Sequence, residues 1–195
     1  KLSKFEMFHN IDWCMRAIRQ NPTLLKFVKT QTHEMCLEAV RQDGSTLEFV
    51  KKQTPDICME AISQCADALQ FVHRQTYELR LAAVRRSGSA LAFVEVQTEE
   101  ICLEAVKQDG LALQYVIEQS HEICLEAVKL DGLALQYVAE QTPEICLEAV
   151  KQDVGALQYV KQQTYDICLA AVKQDGSAIR YVIDKTKELL ELARM

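Results

Sequence analysis

Apolar and polar residues follow a block of 22 positions that recurs along the chain. Glu100-Ile101-Cys102-Leu103-Glu104-Ala105-Val106-Lys107 returns as Glu122 to Lys129 and as Glu144 to Lys151, with looser copies at Trp13 to Ile18 and Ile167 to Val172. Counted from the glutamine of Gln31-Thr32, eight units occupy 9–30, 31–52, 53–74, 75–96, 97–118, 119–140, 141–162 and 163–184, with a partial cap at 185–195. A fixed period of this length marks an array in which each unit buries its apolar face against its neighbours.

Each unit predicts two helices. Position 2 is Asn10, Thr32, Thr54, Thr76, Thr98, Ser120, Thr142 or Thr164, all good helix N-caps. Position 4 is always acidic, which suits the positive end of the helix dipole. A first helix, A, therefore starts at position 3. It stops near position 13, where Asp-Gly recurs and glycine is expected to take the left-handed conformation common at helix ends. A shorter helix, B, follows, as in Ala112-Leu113-Gln114-Tyr115-Val116.

The apolar positions of helix A are 5, 6, 7, 9 and 10, an arc of about 200° at ~100° per residue, wider than a one-sided stripe. Such width suits a helix packed on its partner and on both neighbouring units. Position 19 changes from Phe in the first four units to Tyr in the last four, which predicts that the ring edge nears water in the C-terminal half. The fold expected is an all-α solenoid of helical hairpins, a single curved superhelix spanning roughly 70–80 Å at ~8–10 Å per packed helix. The start at Lys1-Leu2 without methionine, and a last turn that resembles another helix A, predict a piece of a longer protein.

Composition narrows the function. No 18-residue apolar run exists, so no membrane span is expected. Residues 1–97 carry 13 Lys/Arg against 11 Asp/Glu, or +2, whereas 98–195 carry 9 against 17, or −8. That balance argues against nucleic acid, which wants a basic stripe. Seven of the eight cysteines sit at position 6: Cys14, Cys36, Cys58, Cys102, Cys124, Cys146 and Cys168. A thiolate metal store is one reading. Spacing of ~8–10 Å between equivalent atoms opposes both disulfides and a shared zinc, so the cysteines read as small core residues in a reducing, cytoplasmic setting. No nucleophile motif, phosphate loop or histidine ligand spacing is present, so no catalytic residue, metal ligand or cofactor is assigned.

Departures from the repeat carry the local information. Leu111, Ile117 and Leu133 stand at helix B positions that are otherwise mostly polar, and Leu130 replaces the glutamine usual at position 12. With the adjacent Tyr115 and Tyr137 they form the candidate partner-binding set, since clustered exposed apolar residues mark interaction sites. The alternative is that stacking buries position 15. Arg80 occupies the cysteine position of repeat four, where it either finds a carboxylate such as Asp67 or opens the stack locally.

The motif Gln141-Thr142-Pro143-Glu144-Ile145-Cys146-Leu147-Glu148-Ala149-Val150-Lys151-Gln152-Asp153, followed by Ala156-Leu157-Gln158-Tyr159-Val160, resembles a short helical repeat family of unknown function. Its members occur in giant viruses of amoebae and in intracellular bacteria that infect amoebae. The resemblance covers nearly the whole chain, best over 97–184. It supplies no catalytic residue and implies a pathogen- or symbiont-encoded protein acting in a host cell, in the host cytosol. Together these readings predict a protein-protein interaction module or scaffold within an effector; a non-catalytic arm of an enzyme with its active site elsewhere is the alternative.

Overall fold

The computed structural model describes residues 10–195, so His9, which opens repeat one, lies outside the described residues. The chain divides into two compact units, Lys1–Arg86 with Phe93–Glu95, and Ser87–Ala92 with Val96–Met195. The first contains α1 (Ile11–Gln20), η1 (Pro22–Phe27), α2 (His33–Gln42), η2 (Gly44–Phe49), α3 (Pro55–Gln64), η3 (Ala66–Phe71) and α4 (Tyr77–Arg86). After η4 (Gly88–Phe93), the second continues with α5 (Glu99–Gln108), η5 (Gly110–Tyr115), α6 (His121–Leu130), η6 (Gly132–Tyr137), α7 (Pro143–Gln152), η7 (Val154–Tyr159), α8 (Tyr165–Gln174), η8 (Gly176–Tyr181) and α9 (Lys187–Leu192). Within each unit the α-helices lie side by side in one layer. The η helices form a second layer, η1 to η3 and η5 to η8 each seated between their own α-helix and the next. The fold is the all-α repeat solenoid that the period predicts.

Helix A begins as its sequence dictates. Ser120 Oγ accepts the N–H of Ile123 at 3.3 Å, and Thr32, Thr98, Thr142, Thr164 and Thr186 cap their helices in the same way. Thr54 is the exception, its hydroxyl turning to the Asp56 carboxylate instead.

Helix B departs from expectation. It is a six-residue 3-10 helix, not a short α-helix, closed by bonds such as Ala112 N–H to Asp109 O at 2.9 Å and Val116 N–H to Leu113 O at 3.1 Å. Three residues per turn line up side chains three apart. Positions 14, 17 and 20 (Gly110, Leu113, Val116) are buried, while Gln114 and Ile117, three apart, face solvent.

The Asp-Gly turn also works differently. Among the described residues no glycine has positive φ. Asp109 is extended (φ −151°, ψ 109°); its N–H closes helix A on Ala105 O, and its carboxylate caps helix B by accepting the Leu111 N–H at 3.0 Å. Glycine is required for close approach: a Cβ on Gly110 would stand 2.6 Å from the carbonyl oxygen of Ala127 in the next repeat. Ala66 and Val154 occupy the same register, so this approach is not demanded at every joint.

The core is a repeating set: positions 5, 6, 9 and 10 of helix A with 16, 17 and 20 of helix B, for example Ile123, Cys124, Ala127, Val128, Ala134, Leu135 and Val138. Position 7 is only half-buried in most repeats. The Phe-to-Tyr change does not follow exposure, since Phe27 is 53% exposed and Tyr115 36%.

Candidate partner-binding surface

The joint between repeats is organised by the glutamine at position 1. Gln119 Nε2 donates to Tyr137 O at 2.9 Å, and its Oε1 accepts the N–H of Ala139 at 3.0 Å, so one side chain ties helix A to the far end of its own helix B. In Gln31, Gln53, Gln75, Gln141 and Gln163 the amide also reaches a carbonyl of the preceding repeat, as Gln141 does to Leu135 O at 3.4 Å. The sequence register begins at this residue, yet its chemistry is not visible there; its recurrence at the start of seven of the eight units is the available signal.

The cysteine row ends on the same group. Cys36, Cys58, Cys102, Cys124, Cys146 and Cys168 each donate a thiol to the glutamine oxygen of their repeat, at 3.5–3.8 Å. All six are buried, as is Cys14, and burial pushes the thiols up, that of Cys36 to about 11. Such thiols are poor nucleophiles and poor ligands at neutral pH, because the thiolate is the reactive form. Among the described residues no group of three or more His, Cys, Asp or Glu is placed to hold a metal ion.

The other polar groups at position 3 serve the joints. His33 Nε2 meets Asp56 at 2.8 Å, His121 Nε2 meets Glu144 at 3.2 Å, and Tyr165 donates to Glu188 at 2.9 Å; in each pair position 3 bonds the position 4 acid of the next repeat. Arg80 is half-buried, and its Nε donates to Thr76 O at 3.3 Å. Asp67, one carboxylate that the sequence offers as a partner, is exposed.

The candidate apolar set separates into two groups. Leu111 and Leu133 are half-buried at the turn from A to B, and Leu130, 48% exposed, ends α6 at that same edge. Position 15 is thus neither free nor core: Leu133 Cδ2 lies 3.8 Å from the place a Cβ on Gly155 would take. Tyr115 and Tyr137 lie at the other end of helix B, ~8 Å away along four residues at about 2.0 Å each, and Ile117 just beyond it. Ile117 is 76% exposed. Sequence reading passed over Ile183, 73% exposed at the same position 21 of repeat eight. Leu130 also removes a joint bond, since Gln42, Gln152 and Gln174 at its position donate to carbonyls of the preceding repeat.

A shallow cleft of about 260 Å³ opens between repeats seven and eight, lined by Gln141, Cys146, Lys161, Gln162 and Ile167. Equivalent clefts lie beside Lys51 and Lys52, beside His73 and Arg74, and beside Ile183 and Asp184. They are a property of the joint, and they differ chiefly in the residues at positions 21, 22 and 3, with Ile57 and Ile167 replaced by Leu79 and Leu189 at position 5 of the following repeat. Along this register repeats one to three of the first unit are mostly basic (Lys29, Lys51, Lys52, His73, Arg74) and Glu95 ends that run, whereas the second unit pairs apolar with acid (Ile117-Glu118, Ala139-Glu140, Ile183-Asp184) around Lys161-Gln162. No helix among the described residues is long and apolar enough to cross a membrane.

No curated protein and no solved structure matches the chain. The family model described as Domain of unknown function (DUF4116) matches residues 32–80, 98–142, 120–163 and 142–187. The matches start at position 2 of repeats two, five, six and seven and cover more than half of the sequence, so the chain belongs to the DUF4116 family.

Proposed function

We propose that the chain is a non-catalytic binding module that docks a protein, not a nucleic acid, on the helix B layer of repeats five and six. The observation that carries this is Ile117, 76% exposed beside Tyr115 at a register that is lysine in repeats one, two and seven. Exposed β-branched and aromatic side chains on a rigid, well-capped scaffold add nothing to its stability, and desolvated apolar contacts dominate binding hot spots. Repeat arrays present extended surfaces suited to such partners. The likeness to repeats of amoeba-infecting viruses and bacteria extends the proposal to an effector acting on host proteins in the host cytosol.

The test is affinity capture from host-cell cytosol with the intact chain and with Ile117→Ser. The variant is expected to keep its melting temperature and lose the captured protein by more than about tenfold, roughly 1.4 kcal/mol. Equal capture by both forms overturns this site. Leu111→Ser with Leu133→Ser is the less clean pair, because half-buried leucines contribute to stacking as well.

A further inference from the structure

Lysine at position 21 has a defined destination in this fold. Lys161 Nζ donates to Ala139 O at 2.8 Å and Val138 O at 3.3 Å. Lys51 Nζ makes the same pair of bonds to Val28 O and Lys29 O, both at 2.9 Å. In each case an ammonium from one repeat rests on two carbonyls just past the end of the preceding helix B, where unpaired carbonyls and the negative end of the helix dipole coincide.

Repeat six lacks this device, as do repeats three, four, five and eight, where His73, Glu95, Ile117 and Ile183 hold position 21; what sets repeats five and six apart is that both of their position 22 residues are acidic. Ala139 stands at position 21, so that position supplies no ammonium to the carbonyls of Val116 and Ile117. The surroundings are acidic and apolar: Glu118 and Glu140 are exposed at position 22 of repeats five and six, and Ile117 and Tyr115 are exposed beside them. The second unit as a whole has 9 Lys/Arg against 17 Asp/Glu.

We propose that this turn binds a lysine side chain of the partner. The ammonium sits on Val116 O and Ile117 O as Lys161 sits on Val138 O and Ala139 O, Glu118 and Glu140 balance its charge, and a neighbouring apolar residue covers Ile117 and Tyr115. The occupant is a lysine-bearing polypeptide segment with an apolar residue next to the lysine. Three donors on a compact point charge match two convergent carbonyls, as Lys51 and Lys161 show within this chain. The inference rests on the protein-binding reading above and adds the partner's chemistry to it.

The experiment is fluorescence anisotropy of the full chain with labelled peptides of repeated Lys-Leu-Gly, Glu-Leu-Gly and Lys-Ser-Gly, at low and physiological salt. Lys-Leu-Gly is expected to bind at least about tenfold tighter than either control, and salt is expected to weaken it. Ala139→Lys supplies the chain's own ammonium to the carbonyl pair; it is expected to raise the melting temperature and weaken Lys-Leu-Gly by a similar factor. Glu118→Gln with Glu140→Gln is expected to weaken it too. Unchanged affinity in folded Ala139→Lys, or equal binding of Glu-Leu-Gly, overturns the proposal. If capture from cytosol depends on Ile117 while Lys-Leu-Gly fails to bind, the lysine assignment falls and the binding module stands; if capture ignores Ile117, the broader reading falls.

Discussion

The thiol of Cys124 donates to the side-chain oxygen of Gln119 across 3.5 Å, and that same oxygen accepts the backbone N–H of Ala139 at 3.0 Å. The two residues are therefore unequal partners. Cys124→Ala removes a small buried group and one weak donor, and should cost on the order of 1 kcal/mol. Gln119→Ala strips partners from the exposed Ala139 N–H, which water can satisfy, and from the part-buried Tyr137 carbonyl, and should cost more, about 1–3 kcal/mol for the carbonyl left unmatched. Urea unfolding of the two variants checks the order; a larger loss for the cysteine variant contradicts the clamp.

Gly110→Ala should destabilise clearly, by about 1–3 kcal/mol, because the new methyl meets the Ala127 carbonyl oxygen and backbone must move. Gly155→Ala should be milder. Its nearest neighbour is the Asp153 carboxylate at 3.0 Å, a side chain that can turn aside. Thermal melts of both variants decide, and equal losses argue against the close-approach role.

Arg80→Cys should raise the melting temperature. In repeat four, Gln75 still bonds Phe93 O and the Glu95 N–H, at 2.8 and 3.0 Å. A cysteine at position 80 adds the thiol donor and the apolar fill found in the other repeats. A lower melting temperature shows that the contacts of the half-buried guanidinium outweigh both.

Alkaline pH should destabilise the fold through the thiol row. Burial raises the folded thiols above their ordinary value, that of Cys36 to about 11. Between the unfolded value of about 8.5 and that figure, the unfolded chain has released protons that the folded chain retains, so stability is complete below the window and falls as pH rises through it. Melting temperatures from pH 8 to 11 should drop less steeply for Cys36→Ala than for the parent chain. Parallel curves contradict the assignment.

Much of this architecture is legible in the residues themselves. The period, the start of every helix A, the alanine–valine core and the burial of Cys14 to Cys168 follow from caps and apolar spacing, because those depend on neighbours within one or two turns. The sequence shows that a short helix B exists but not that it is a 3-10 helix, because six residues are too few to separate a period of about 3.0 from one of about 3.6, although Gly110, Leu113 and Val116 stand three apart. The role of Asp-Gly was misjudged for a different reason: the atom that excludes a side chain at Gly110 belongs to Ala127, 17 residues on.

Tertiary structure alone decided the rest. Gln119 becomes a clamp only when helix B returns to the start of helix A and brings Tyr137 and Ala139 within reach. The candidate surface divides because one end of helix B carries Leu111 and Leu133 into the stack, while the other carries Ile117 into solvent. Composition placed all of these in one apolar set. What separates them is which side of a 3-10 turn the neighbouring repeat covers, and that depends on how two copies of the same sequence pack.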